Sequence, residues 1–282
     1  MKTTGLFELA YFPVRVNTSG ETFYLIPFGD IHRSAPLCHV EKWLEFLEWA
    51  KTKKNSYFLG MGDYDDLLSA SERSILEKAE LHESSKETID SMYKEHTKRL
   101  AKELSFMRGR IIGLIEGNHY ATLKEGITTT QYLCQQLDCK YLGASAFVRM
   151  AFQYKDTGKA LSLDIWAHHG KGAARLIGGS LNRVQQMAEA ANADIYIMGH
   201  DHKKSAGTCS KLVLSGQGEN MVLRHKKQLF IRSGSFLKGY EPGKVSYVAD
   251  AAMNPTDLGV VKIEITPKQS NGNYTLDIHA SI

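Results

Sequence analysis

The chain has 282 residues, of which 43% are hydrophobic, 23% charged and 10% aromatic, and its formal charge is +4. This is ordinary globular usage, far from the apolar-poor composition of disordered chains, and with Lys and Arg scattered among Asp and Glu no pronounced basic stripe announces nucleic acid. No internal repeat, low-complexity tract or Pro/Ser-rich linker divides the chain, so a single domain over 1–282 is expected.

Met1 to Val16 carries one Lys and then mixed polar and aromatic residues without a sustained apolar core, so it does not read as a signal peptide. No stretch approaches the roughly 20 apolar residues that cross a bilayer, and a soluble, cytoplasmic protein with no membrane partner is expected. Thr22 to Phe28 reads as a strand. Val40 to Lys51 spaces Val40, Trp43, Leu44, Leu47 and Ala50 as an amphipathic helix does, and Tyr57 to Met61 is a second short strand. Leu67 to Leu104 is long, charged and free of Gly and Pro, which predicts two helices broken near Ser84-Ser85 and makes 67–105 an insertion lying over a site. A third strand follows at Arg110 to Ile115 and a helix at Thr128 to Leu137. Further strands are predicted at Ala146 to Tyr154, Leu161 to Ala167, Ile195 to Met198, Leu229 to Ser233 and Leu258 to Ile265, with a helix at Ser180 to Ala191. From about Thr208 onward strand and turn signals outnumber helix signals, enough to close a second sheet. Strands alternating with helices favour a layered α/β fold. Cys38, Cys134, Cys139 and Cys209 lack CxxC or zinc-finger spacing and read as reduced, structural thiols.

Four motifs share one local setting, an apolar run followed by a Gly: Gly29-Asp30-Ile31-His32, Gly62-Asp63-Tyr64-Asp65-Asp66, Gly117-Asn118-His119 and Gly199-His200-Asp201-His202. In an open α/β sheet the C-terminal strand ends meet on one edge, where ligands bind, so the four should converge. Asp, Asn and His offer the oxygen and nitrogen donors that Mn, Fe, Zn or similar divalent ions prefer. One carboxylate, Asp63, would bridge two ions roughly 3.5–4 Å apart, the spacing of two-metal hydrolytic sites, where a phosphate is held and a water activated. Each motif alone has a plainer reading, such as a helix cap at Asp66 or a left-handed Asn118 in a tight turn. The ordered set does not.

The ordered set resembles the calcineurin-like metallophosphoesterase superfamily, whose pattern is D-x-H, G-D-x-x-D, G-N-H-D/E, a His near a Gly, then G-H-x-H, matched here from Asp30 to His202. The resemblance implies a four-layer α/β/β/α sandwich of two mixed sheets flanked by helices. It implies that Asp30, His32 and His202 bind a first metal, Asp63 bridges, Asn118 and His200 bind the second, and His119 protonates the leaving group or stabilises the phosphate, with Asp66 in support. The remaining ligand is a His after a strand, and Ala167-His168-His169-Gly170 offers two. Relatives with one His before Gly favour His169, relatives with His-His-Pro would favour His168, and the reading leans to His169.

Where the family has an acid after the G-N-H His, this chain has Tyr120, so His119 needs another support, from Glu116, another acid or a carbonyl. Lys171 and Arg175, in a Gly-rich loop after the candidate ligand, and Arg33, directly after His32, are candidates for holding phosphate. Lys203-Lys204 and Arg224-His225-Lys226-Lys227 read first as solvated surface, with a substrate or nucleic-acid role as the lesser alternative. The expected function is hydrolysis of phosphate mono- or diesters, with a phosphoester as partner and nucleic acid among the candidates. A nuclease of the same fold is the alternative, and a non-catalytic scaffold that keeps the fold is the alternative of another class. No sequence feature specifies an oligomeric state.

Overall fold

Two mixed β-sheets with helices on their outer faces make up this α/β protein, a computed structural model that describes residues 5–172 and 174–282. In chain order the strands and helices are β1 (Glu8–Val16), β2 (Phe23–Phe28), α1 (Val40–Lys51), β3 (Ser56–Gly60), α2 (Ala70–Lys78), α3 (Glu83–Leu104), β4 (Ile111–Leu114), α4 (Thr129–Leu137), β5 (Ser145–Tyr154) and β6 (Ala160–His168). They continue with α5 (Ile177–Ala190), β7 (Ile195–Met198), β8 (Lys204–Ser215), β9 (Val222–Ser235), α6 (Tyr247–Asp250), β10 (Gly259–Val260), β11 (Lys262–Ser270) and β12 (Asn273–Ser281).

The seven-stranded sheet runs β1-β5-β6-β7-β9-β10, with β8 also on β9, and the five-stranded sheet runs β12-β11-β2-β3-β4. Strands β2, β3 and β4 are mutually parallel, as are β6, β7 and β9. Such strands are covered on both faces and read as apolar runs, which is why the sequence signals there were continuous. Between the sheets lies one core, with Val14, Leu25, Leu59, Val148, Ile165, Ile197, Ile231 and Ile263 all buried. Helices α1, α3 and α4 cover the five-stranded sheet through Trp43, Leu100 and Leu133 against Phe28 and Phe58. Helix α5 covers the other sheet through Val184 and Met187 against Trp166, Tyr196 and Phe230. The order of layers is therefore α/β/β/α. Each fully buried Leu, Ile or Phe contributes about 1.5–3 kcal/mol, so the paired sheets hold the strand ends rigidly.

The insertion departs from its predicted outline. Leu67 to Ser69 lie before α2, whose Ser69 and Glu72 form a reciprocal capping box. The helix break falls at 79–82 rather than at Ser84-Ser85, because the His82 side chain accepts the Ser84 N–H and starts α3 there. A small cluster of Tyr93, Ala121 and Leu123, with Leu67, Leu68 and Ile89 against it, fastens the insertion to the loop after β4. The carboxy-terminal third does not make a sheet by itself. β8 and β9 extend the seven-stranded sheet, and β11 and β12 complete the five-stranded one. Among the described residues no helix is long and apolar enough to cross a membrane.

Candidate metal centre

All the motif residues leave the sheets at one edge. Asp30 and His32 follow β2, Asp63 follows β3, Asn118 and His119 follow β4, His169 follows β6, and His200 and His202 follow β7. The turns are tight: Asp30, His32, Asp63, His200 and His202 all have positive φ, between 46° and 73°, which costs a non-glycine residue about 1 kcal/mol or more each. That strain is sustained by the two packed sheets behind it. Gly117 is needed for close approach, since a Cβ there would lie 2.0 Å from Asp63 Oδ1.

The donors form two clusters that share Asp63. In the first, His32 Nε2 is 3.2 Å from His202 Nε2, His202 Nε2 is 3.6 Å from Asp30 Oδ1, and His32 Nε2 is 3.8 Å from Asp63 Oδ2. In the second, His169 Nε2 is 3.3 Å from Asp63 Oδ2, 2.9 Å from Asn118 Oδ1 and 3.2 Å from His200 Nδ1, with His200 Nδ1 2.7 Å from Asn118 Oδ1. Ligand atoms about 2.0–2.2 Å from a common ion, at tetrahedral or octahedral angles, lie roughly 2.9–3.6 Å from one another. Five of the seven spacings lie in that range, and the 3.8 Å from His32 to Asp63 and the 2.7 Å from His200 to Asn118 lie just outside it.

The unshared atoms are fixed by the backbone. Asp63 Oδ1 accepts the Asn118 and His119 N–H groups at 2.7 and 2.9 Å, which leaves Oδ2 facing both clusters. Asp30 Oδ2 accepts the His200 N–H at 2.9 Å, and Asp30 Oδ1 is buried without any hydrogen-bond partner. A buried carboxylate oxygen without a partner is costly, and a cation would satisfy it. His169 Nδ1–H donates to the Met61 carbonyl at 2.7 Å, and His32 Nδ1–H donates to Asp66 Oδ1 at 3.2 Å, so in each neutral ring Nε2 carries the lone pair. Nitrogen and oxygen donors without thiolate, one oxygen common to both clusters and one orphaned oxygen form a set that could hold divalent ions.

The titration behaviour agrees. Burial lifts the Asp30 carboxyl to about 7. Burial also pushes Asp63 up, but the imidazoles of His169, His32 and His119 outweigh it and hold the carboxyl below the usual range. His169, despite its burial, rises to about 9 beside Asp63. His200 falls to about 4 through burial and the neighbouring His169, and His202 falls well below its ordinary value through burial and His32. Without an ion, protons on Asp30 and His169 therefore balance part of the local charge.

His119 stands beside the first cluster, its ring centroid 4.8 Å from that of His32. Its Nδ1 lies 2.6 Å from Asp66 Oδ1 in an ion-pair contact, so Nε2 is the nitrogen left for substrate. Asp66 is the support that Tyr120 cannot supply. Glu116 is not, since it accepts from Thr128 Oγ1 and Tyr141 Oη at 2.8 and 2.7 Å. His168 stays out of both clusters: strand alternation puts it on the Trp166 face of β6, and its Nδ1 accepts the Gly170 N–H at 2.7 Å.

The candidate phosphate clamps lie elsewhere. Arg33 is committed to Glu103, with Nε and Nη2 at 2.9–3.1 Å, and Trp43 Nε1 donates to the same carboxylate at 2.7 Å. Lys171 and Arg175 are exposed and outside the cleft, with Arg175 Nη2 donating to the Ala251 carbonyl at 3.1 Å. A cleft of ≈ 680 Å³ opens over the clusters and His119, and its cations are Lys203, Lys204 and Lys238. Read as solvated surface, Lys203 and Lys204 instead face the cleft because β8 begins at its wall. Their position one and two residues beyond His202 was the available signal; nothing local marked Lys238.

No protein-family model matches the chain, and no curated protein matches it. Among solved structures it is similar to Vacuolar Protein Sorting 29 from Cryptosporidium parvum, with 13% identity over 94% of this chain and 99% of that one and a TM-score of 0.32. It is likewise similar to a single mutant and a double mutant of Vps29 from Entamoeba histolytica, each with 13% identity over 93% of this chain and 100% of that one and a TM-score of 0.34.

Proposed function

We propose that the chain is a metal-dependent phosphoesterase that hydrolyses phosphate mono- or diesters. The observation that carries this reading is the division of Asp63, whose Oδ1 is held by two backbone N–H groups while Oδ2 faces both donor clusters. Two divalent ions, of manganese, iron, zinc or a similar metal, would supply Lewis acidity and a nucleophile at neutral pH. Asp30, His32 and His202 would hold one, Asn118, His169 and His200 the other, and Asp63 both. His119, fixed through Nδ1 by Asp66, would present Nε2–H to the leaving oxygen. Lys203 would offset the charge of a substrate with further phosphates, which brings nucleic acid within the substrates this cleft suits, whereas Lys204 is paired with Asp257 at 3.2 Å and Lys238 with Glu241 at 2.7 Å.

The test is hydrolysis of bis-p-nitrophenyl phosphate by the protein loaded with Mn²⁺. Asp63→Asn and His200→Ala should each abolish it, and undiminished turnover in either variant would refute the site. His119→Ala should hurt esters with poor leaving groups most, because a p-nitrophenolate departs with little need of a proton. An equal loss on both kinds of ester would remove His119 from the acid role.

A further inference from the structure

The turn that carries Asn118 and His119 is held from two sides, and only one of them belongs to the donor clusters. On the inner side Asp63 Oδ1 accepts its two N–H groups. On the outer side its three successive carbonyls are met by the start of the helical insertion. Arg73 Nη1, from α2, donates to the carbonyls of Asn118 and Tyr120 at 2.8 and 2.9 Å and to that of Leu68 at 2.7 Å. The Leu67 N–H reaches the His119 carbonyl at 3.5 Å. The Arg73 guanidinium carbon also lies over the Tyr120 ring, 3.8 Å from its centroid.

We infer that Arg73 is the positioning residue for the Asn118–His119 turn, and that the insertion thereby sets the geometry of the second donor cluster. The inference rests on the metal-site reading above. It also gives Tyr120 a role. A carboxylate at 120 would compete with the carbonyls for the guanidinium donors, whereas an aromatic face fixes the plane of the fork and leaves its N–H groups free. The support lost from His119 at that position is supplied by Asp66, and Tyr120 serves the backbone instead. Lysine at 73 would keep the charge but not the guanidinium plane over the Tyr120 ring.

The experiment is calorimetric titration of Mn²⁺ into the metal-free full chain, which does not depend on turnover. Removing an outer partner of a metal ligand typically weakens binding about 10–100-fold. Arg73→Ala is expected to weaken one of the two binding events by at least about tenfold and to leave the Asp30–His32–His202 event within about threefold. Arg73→Lys and Tyr120→Leu should fall between Arg73→Ala and the natural protein. A merely structural role is separated by Glu72→Ala, which breaks the α2 capping box without touching any Arg73 contact. It should lower thermal stability and leave both affinities unchanged. Two unchanged affinities in Arg73→Ala, or an equal loss in Glu72→Ala, would overturn the positioning role alone. Absence of two Mn²⁺ events in the natural protein would overturn the metal-site reading and this role with it.

Discussion

Replacing Asp30 by Asn should stabilise the metal-free protein and destabilise the metal-loaded one. Asp30 is fully buried, its Oδ2 accepts the His200 N–H, and its Oδ1 has no partner. Burial raises its carboxyl from 3.8 to about 7. A folded-state value above the unfolded one means that the folded chain holds the extra proton between those values, so this group's contribution to stability falls as pH rises from about 4 to about 7. At pH 8 the ionised group costs about 4 kcal/mol, taking about 1.4 kcal/mol per unit. Asparagine removes that cost, keeps an oxygen for His200, and leaves a buried amide N–H that costs about 2 kcal/mol if unpaired. The net expectation is about 2 kcal/mol of added stability at pH 8 in EDTA, shrinking towards zero at pH 5. Saturating Mn²⁺ reverses the order, because the natural protein gains about 2.7 kcal/mol at a hundredfold excess over Kd, and the variant, with a weakened first cluster, gains much less. Urea unfolding at pH 5 and 8, with EDTA and with Mn²⁺, measures all four quantities. A variant no more stable than the natural protein at pH 8 in EDTA, or an unchanged gain from Mn²⁺, would refute the reasoning.

His169 sets the alkaline side of metal-free stability: its folded value of about 9 lies above the unfolded 6.5, so its contribution is complete below about 6.5 and lost through about 9. Below that window the depressed His200 and His202 act in the opposite sense to Asp30. Melting in EDTA should therefore show stability falling by about 2 kcal/mol between pH 7 and 9, a fall that Mn²⁺ suppresses, and rising stability there would contradict it. Asp66→Asn should slow hydrolysis of esters with poor leaving groups about 10–100-fold, while Glu116→Gln, whose carboxylate is taken up by Thr128 and Tyr141, leaves the rate within about twofold, as steady-state kinetics on alkyl phosphoesters can establish. Arg33→Ala should cost about 1–3 kcal/mol in denaturant unfolding, because it leaves the Glu103 carboxylate with the Trp43 Nε1–H alone, and leave KM within about twofold. A raised KM with unchanged stability would return Arg33 to substrate binding.

The strands that carry ligands were legible because they are covered on both faces, so apolar runs ending in Gly mark β2, β3, β4 and β7 with no long-range knowledge. Strands β1 and β12 lie at sheet edges and are half exposed, with polar residues and even Pro13 and Asp277 among them, and local patterning did not separate them from loop. The distal part of β8 is exposed and gave no burial signal either. Within the site, residue types and motif order pointed to the donors, but the choice between His168 and His169 turns on which face of β6 meets the sheet interface. Long-range partners stayed hidden for the same reason. The engagement of Arg33 by Glu103, 70 residues on, is a fact of how α3 packs on α1. The hold of Arg73 on the carbonyls of Asn118 and Tyr120 depends on where α2 lands, and no motif encodes it.

Electron paramagnetic resonance of the protein reconstituted with two equivalents of Mn²⁺ addresses the shared oxygen of Asp63 most directly. Two ions held by one carboxylate oxygen, roughly 3.5–4 Å apart, are magnetically coupled, so the natural protein should give the spectrum of a coupled pair. Asp63→Asn should remove the coupling. A spectrum of isolated Mn²⁺ in the fully loaded natural protein, or the binding of a single ion per chain, would contradict a dinuclear centre built on Asp63.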